Sequence, residues 1–440
     1  MFIPKLLEQG FAIFSLLFFS DAIFPLLNEG GTGSDRISQV LYYLIQVVTI
    51  LLIVAWHKKI IPIVIKEKLL WIFVAFALVS VFWSAAPGAT LSRDIGLVRV
   101  TLFGVYFTSR YTVNEQLQLL AWTFGIAALL SLVFAVALPS YGIMGMGSVM
   151  DAENLAHTGS WRGIYTHKNG LGRIMVLSAM VQLLVASSSR QYSWLAWVGF
   201  SLSVGLIVFS TSKTSLVIFL TIMLLIPLYR ALRWNTSVVL PFFITLILVS
   251  GGVITVLVSN AEAILGTLGK DLTLTGRTDL WLVALEKIWE RPWLGYGYYG
   301  FWQGMNGESA DIWIALKWEV PHAHNGFLDV AIDLGFLGLL IFLIPFLAAW
   351  LRAIMWVRHI KTSEGLLPLG YLTFMVLSNL TESSIIRPNT FWILYVVITL
   401  SMHHESVYLV QFNASSHQKD KVDAMKQTKR KSKHTSTLKA

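Results

Sequence analysis

Apolar runs longer than about 18 residues recur along this chain, and that is the length that carries a helix across a bilayer. In hydrocarbon each backbone N–H and C=O must be satisfied within the segment itself, so runs of this kind fold as helices. Composition agrees: 55% of the 440 residues are hydrophobic and only 13% are charged, about half the charged fraction of a soluble domain. The expected fold is an all-α integral membrane protein of about twelve transmembrane helices. The spans are expected to begin near Phe11, Ile37, Leu69, Ile95, Gln116, Leu171, Tyr192, Lys213, Ser237, Gly326, Gly365 and Phe391. The first run, Phe11 to Leu27, contains Asp21 and Pro25 with no small-residue cleavage site after it. It reads as a retained span rather than a signal peptide. With no cysteine, disulfides, thiolate metal sites and cysteine nucleophiles are excluded.

The net charge of +9 is unevenly placed. Lys58, Lys59, Lys66 and Lys68, then Arg230 and Arg233, then Arg352, Arg358 and Lys361 occupy loops that fall on one side of a twelve-span layout. The positive-inside rule makes that side cytoplasmic, with both termini inside. The tail carries Lys419, Lys421, Lys426, Lys429, Arg430, Lys431, Lys433 and Lys439. It reads as a topology signal and a partner of anionic membrane lipid rather than of nucleic acid. Four regions follow: 1–258 with spans one to nine and an outer loop near 139–170, a large outer (periplasmic) loop at 259–325 between spans nine and ten, spans ten to twelve at 326–410, and a basic cytoplasmic tail at 411–440. A structureless loop of the second region's length is unusual, so a folded cap is expected there. Within it, "TDLWLVALEKIWERPW" places Trp281, Ala284, Leu285, Ile288 and Trp289 at amphipathic-helix spacing. Thr278 is the expected N-cap, Pro292 the stop and "GYGYYG" the turn.

The outer side gathers unusual groups: Arg162, His167 and Lys168 in "WRGIYTHKNGLGR", Lys213 in "STSKTS", Arg277 in "TGRTDLW", His322 and His324 in "PHAHNGF", and Glu382 and Arg387 in "TESSIIRPN". Positive-inside bias depletes cations from short outer loops, so these ask for an anionic partner. Arg162 and Lys168 read equally as solvated loop residues, and Lys213 as a span-end residue that snorkels. Arg277 precedes a helix start, where an anion would meet both a guanidinium and free N–H groups. The histidine pair reads as a helix cap or as a general base, since free imidazole titrates near 6.5; a metal site, with its three or four ligands, is not expected. Asp329 and Asp333 at i, i+4 share one helix face, with Arg99 a candidate partner. Trp281, Trp289, Trp293, Tyr296, Tyr298, Tyr299, Phe301, Trp302, Trp313 and Trp318 crowd the second outer loop, as an interfacial belt or as a wall for sugar rings.

Four stretches together, "RGIYTHKNGLG", "TGRTDLW…ERPWLGYGYYGF", "HAHNGFLDVAIDLGFLGLL" and "NLTESSIIRPNTFWILY", resemble the O-antigen ligase and polysaccharide polymerase family of bacterial inner membranes, with the last most similar to its exopolysaccharide-production (ExoQ-type) branch. The resemblance implies a multi-pass inner-membrane enzyme that moves a saccharide from an undecaprenyl-diphosphate carrier to an acceptor hydroxyl on a glycan or a lipid-linked acceptor, without metal or cofactor and in company with other polysaccharide assembly proteins. It implies Arg277 and His324 as catalytic residues and the place of Lys213 as donor-binding; by charge and position, Arg162 and Lys168 join Lys213 and Arg277 as donor-binding candidates, and His322, Asn325, Asp329, Glu382 and Arg387 are expected to support them. Where the family commonly has an arginine, this chain has Lys213, which offers a point charge but no bidentate fork. Exopolysaccharide or O-antigen repeat polymerisation is the expected reaction, ligation to lipid A–core the alternative. No D-x-D nucleotide-sugar signature is present; "DAE" at Asp151 is a near-match. A lipid-linked glycan flippase is the competing class, and paired broken helices at the midplane would be its mark.

Overall fold

The computed structural model describes residues 4–22, 36–147, 155–188, 193–235, 237–238 and 277–403. Among them the architecture is helical, and the one β-type pairing is an isolated bridge between Ile143 and Trp161. The helices used below are α1 (Lys5–Phe19), α2 (Arg36–Ala55), α3 (His57–Val64), α4 (Lys68–Val79), α5 (Pro87–Arg110), α6 (Val113–Ala137), α7 (Lys168–Ser188), α8 (Ser193–Phe209), α9 (Lys213–Ala231), α10 (Arg277–Glu290), α11 (Ala310–Leu316), α12 (Gly326–His359), α13 (Leu367–Asn379) and α14 (Thr390–His403). A helix stands at each expected span position that is described. Five of them, α2, α6, α7, α9 and α12, are long and apolar enough to cross a membrane. Residues 68–82, α8 and α14 are shorter apolar helices, and at 1.5 Å per residue they fall short of a full hydrocarbon core. The fifth helix begins at Pro87 rather than near Ile95, because its first turns carry Arg93 and Asp94 and hydropathy hides them. The expected ninth span, residues 239–276 and the basic tail lie outside the described residues.

The core is aromatic. Phe73 of α4 meets Phe342 of α12 at 5.4 Å and Trp392 of α14 at 5.8 Å between ring centroids. Trp392 donates its indole N–H to Thr101 of α5. Ion pairs close one end of the bundle. Arg110 donates to both Glu8 oxygens at 2.8 and 2.9 Å, and buried Glu67 holds Arg352 and His403. Arg233 caps the carbonyls of Lys361 and Thr362 at the same end.

At the other end the chain departs from simple spans. The segment 326–359 is long because two helices meet across a break at Gly335 (φ 69°, ψ −176°). The glycine-rich turn fills the break. Tyr296 and Gly297 donate backbone N–H to the carbonyls of Ile332 and Asp333, and Phe336 and Leu337 donate back to Pro292 and Trp293. Only glycine fits there: a Cβ at 335 would lie 2.2 Å from the Trp293 carbonyl oxygen, on a backbone in the left-handed half of the map. A 34-residue helix therefore resolves into a short first piece, Gly326–Leu334, and a longer second piece beyond Gly335.

The amphipathic helix expected within 259–325 is present as α10. It begins at Arg277, so Thr278 lies inside it and is not its N-cap. Its buried face is Leu280, Ala284 and Ile288, packed with Ile312, Ala331 and Ile332. Trp289 (68% exposed) and Leu285 (39%) face outward. Of the expected stripe, Ala284 and Ile288 are buried and Trp281 packs against the same cluster, while Leu280 takes the place expected of Leu285 and Trp289.

Candidate functional site

At the end of the bundle where α12 starts, a cavity of about 850 Å³ lies between the first spans and the last loop, a volume typical of ligand sites. Arg93 and Arg99 of α5, Asp21 after α1, and Tyr42 and Tyr43 of α2 line one side. His322, Asp329, Asp333 and Arg387 line the other, with Tyr299 and Trp302 between.

Local sequence explains how these groups are held. Asn325 caps α12, its Oδ1 accepting from the N–H of Phe327 (3.0 Å) and Leu328 (3.3 Å), as its residue type favours. Asp329, one turn on, accepts from the Ala323 N–H and the Trp302 indole N–H. Asp333 accepts from the N–H of Tyr299 at 3.0 Å. Both acids share the cavity face that their spacing predicts. The Tyr298 hydroxyl donates to the Ile386 carbonyl and so ties the glycine-rich turn to the Arg387 loop. Arg99 does not pair with either aspartate: it stacks on Tyr42 at 4.8 Å and donates to Gln46, because Tyr42 and Gln46 on the facing helix lie nearer than α12.

Glu382 organises the centre. Its Oε1 accepts from the Asn169 side-chain amide at 2.9 Å. Its Oε2 lies 3.9 Å from His322 Nε2 and 3.8 Å from His324 Nδ1, beyond direct hydrogen-bond length. Burial opposes ionisation of Glu382, but His324 and the Arg173 guanidinium outweigh it and hold the carboxyl well below the usual carboxylate range. Burial, reinforced by Arg387, pushes the His322 imidazole well below its ordinary value, so this ring is neutral at pH 7. Its Nδ1 accepts from the His324 N–H at 3.1 Å, which leaves its proton on Nε2 as a donor. His324 sits in the left-handed region (φ 52°) and stacks on Trp318 at 5.6 Å. Both its ring nitrogens are buried and without a hydrogen-bond partner among the described residues. Glu382 is the carboxylate that faces its Nδ1, and His324, Glu382 and Arg173 stand behind the residues that line the cavity rather than among them.

His322, His324 and Glu382 also have one ligand atom each within 4.8 Å of the others, a spacing open to a metal ion. The donor set fits a cation poorly. His322 would have to give up the Nε2 proton that its Nδ1 contact requires, and the Arg173 and Arg387 charges act on the same ring.

Arg173 is the residue that sequence reasoning passed over. It stands in α7, five positions after Lys168, with Nε and Nη1 buried and unpartnered among the described residues. Its charge acts on Glu382, His322 and Asp21. An ionisable group inside a span was the available signal. Arg93, over the Tyr299 ring at 4.8 Å, and Asp21 were likewise present in the sequence without being assigned a role.

Of the other expected residues, Lys168 and Lys213 open α7 and α9, whose starts are joined by Ser212 Oγ donating to Asn169 Oδ1. They border the Glu382 centre rather than line the cavity. Arg162 donates to the carbonyls of Tyr141 and Ser140 and holds its own loop. Arg277 is not among the residues lining the cavity; its helix is anchored nearby, since Trp281 donates to the Ala323 carbonyl at 2.9 Å. Among the aromatics, Tyr299 and Trp302 line the cavity, Tyr296, Tyr298 and Phe301 are core, and Trp293 is 72% exposed.

Fold and site together define a multi-pass membrane protein with a cation-rich, histidine-bearing cavity at one end of its helices. Residues 198–343 match the family described as "Wzy_C: O-Antigen ligase". That stretch contains Arg277, His322, His324 and Asp329 and ends before Glu382 and Arg387. The "Exopolysaccharide production protein ExoQ" of Rhizobium meliloti (strain 1021) is 27% identical over 292 residues, which is 62% of this chain and 62% of that protein. Both findings are likenesses to O-antigen ligase and ExoQ-type proteins, in agreement with the motifs of the sequence.

Proposed function

We propose that the protein transfers a saccharide from an undecaprenyl-diphosphate carrier to an acceptor hydroxyl, at the outer face of a bacterial inner membrane, in the polymerisation of an exopolysaccharide or O-antigen repeat. The observation that carries this is the meeting of two guanidinium groups that make no ion pair within 4 Å among the described residues, Arg173 and Arg387, with Glu382 and His324. A lipid diphosphate is already a good leaving group. Transfer then needs positive charge where the phosphate oxygens become more negative, and an acceptor hydroxyl held for attack. The Arg173 guanidinium, whose Nε and Nη1 have no hydrogen-bond partner among the described residues, supplies positive charge for phosphate oxygens, and the His322 Nε2–H adds a neutral donor. His324 Nε2 takes the hydroxyl proton and Glu382 stabilises the imidazolium that forms. Tyr299 and Trp302 offer ring faces to the sugar. In this proposal Arg277, Lys168 and Lys213 are outer cations that draw the donor in, and Arg162 sets the loop before α7.

The same reading orients the protein. Basic residues Arg110, Arg230, Arg233, Arg352 and Lys361 gather at the end opposite the cavity, which the positive-inside rule makes cytoplasmic. Both termini are then cytoplasmic, in a layout of about twelve spans.

Purified protein in lipid, given a carrier-linked repeat, tests the proposal. Arg173→Ala and Arg387→Ala should each lower transfer by about a hundredfold, the usual cost of one charge-stabilising donor. Arg173→Lys should recover little, because the fork is lost. Near-normal transfer by both alanine variants removes these cations from the mechanism. Deleting the gene and separating the surface glycans on a gel distinguishes the acceptor: single repeats without a ladder mean a lost polymerase, and long carrier-linked chains that never reach lipid A mean a lost ligase.

A further inference from the structure

A second cavity, of about 600 Å³, lies beside the first, and Gln303 lines both. Its remaining lining is of two kinds. Ala85, Ala86, Gly300 and Gly307 put no large side chain into it, and Asn306, Glu308 and Asp311 supply polar groups. The two carboxylates are not free charges. Glu308 pairs with Arg291 at 3.0 Å, and Asp311 pairs with Lys287 at 2.8 Å. Their charge is balanced, while each carboxylate keeps lone pairs beyond those its partner uses. The Gln303 side-chain amide donates to the Tyr299 carbonyl at 2.7 Å, which fixes the side chain between the two spaces and leaves its Oε1 as an acceptor.

We propose that this second cavity is a subsite for uncharged, hydroxyl-rich saccharide units remote from the reacting bond, with Gln303 as the residue over which the chain passes between the two spaces. The chemistry selects that ligand. A smooth floor of small residues suits the flat body of a sugar ring. Walls rich in acceptors suit hydroxyl donors. Neutralised carboxylates repel a free anion less and hold a free cation less than bare ones, and polar walls give a lipid chain nothing to bury against. Occupation of this subsite would retain a growing glycan between additions and so set product length. The ligand class rests on the glycan-transfer reading.

The test is binding without donor, so the two readings fail separately. The full chain in lipid nanodiscs is titrated with oligosaccharides of one to three repeats, cut from the producing strain's own surface polysaccharide, and followed by saturation-transfer NMR. Wild-type protein should bind the longer fragments. Gln303→Trp, which fills the passage, and Asn306→Trp, which fills the outer space, should each weaken them by about tenfold or more. Trp293→Ala, on an exposed ring elsewhere, should not. Asn306 is exposed, so its replacement leaves the fold intact even if Gln303→Trp disturbs it; thermal unfolding of both checks this. No wild-type binding, or binding that neither tryptophan weakens, overturns the subsite. Protein that binds these fragments but transfers nothing from a carrier-linked donor defeats the reaction proposal and leaves the subsite standing.

Discussion

Replacing Glu382 by glutamine isolates one charge at the centre of the site. The amide keeps an oxygen for the Asn169 N–H that Glu382 Oε1 accepts at 2.9 Å, so the side chain stays in place. What disappears is the anion 3.8 Å from His324 Nδ1. When His324 takes the acceptor proton it becomes an imidazolium. At that distance, with an effective dielectric of about 20, the attraction between the two unit charges is about 4 kcal/mol. If most of it develops in the transition state, its loss slows the chemical step by about a hundred- to a thousandfold. Donor binding should move the other way or not at all, because Glu382 is also the anion that partly neutralises Arg173. Glu382→Gln should therefore lower kcat by about two to three orders of magnitude, with KM for the carrier-linked donor unchanged or reduced. The assay is single-turnover product formation by purified protein in lipid, with thermal unfolding as the check on folding. A folded variant with kcat within about threefold of wild type would refute the dyad. A raised donor KM at unchanged kcat would make Glu382 a donor-binding group instead.

The histidines should separate. His324→Ala should cost roughly 100- to 10,000-fold, the range for losing a general base, while His322→Ala, which removes one neutral donor, should cost about tenfold; equal losses would remove the distinction drawn between them. Added chelator should leave wild-type transfer unchanged, and loss of activity restored by one divalent metal would instead give His322, His324 and Glu382 to that ion. Stability should fall with acid. The His322 ring, depressed below its ordinary 6.5, stabilises the fold above that pH and loses the contribution as pH drops, and depressed Glu382 adds a second loss below its ordinary 4.5. Tryptophan fluorescence melts should show His322→Gln flattening the part between about 6.5 and 4.5; an unchanged profile would contradict the buried neutral ring. For orientation, an impermeant thiol reagent applied to intact spheroplasts should label a cysteine placed at exposed Met305 and not one placed at Ser415 in the tail, and the reverse pattern would invert the protein in the membrane.

The sequence by itself determined most of what depends on neighbours along the chain. Apolar run length located the helices among the described residues, five of them long and apolar enough to cross a membrane, because a helix in lipid satisfies its own backbone. The spacing of Asp329 and Asp333 put both on one face, and Asn325 before an apolar run announced an N-cap; each is a property of a few consecutive residues. The cations and histidines at the ends of apolar runs were legible as misplaced charge. The tertiary structure alone decided how these groups meet. Nothing local says that Glu382 faces both histidines, which come from another loop, or that it meets Asn169, 213 positions away. Arg173 was hidden in an apolar stretch, and only the packing of α7 beside the last loop sets its guanidinium over the Phe391 ring, where its charge acts on that carboxylate. The break at Gly335 was equally out of reach. A glycine in a helical pattern is permissive, not directive, and it is the strap from Pro292 to Gly297, hydrogen-bonded across the gap, that makes the helix stop there and turn its acids toward the cavity.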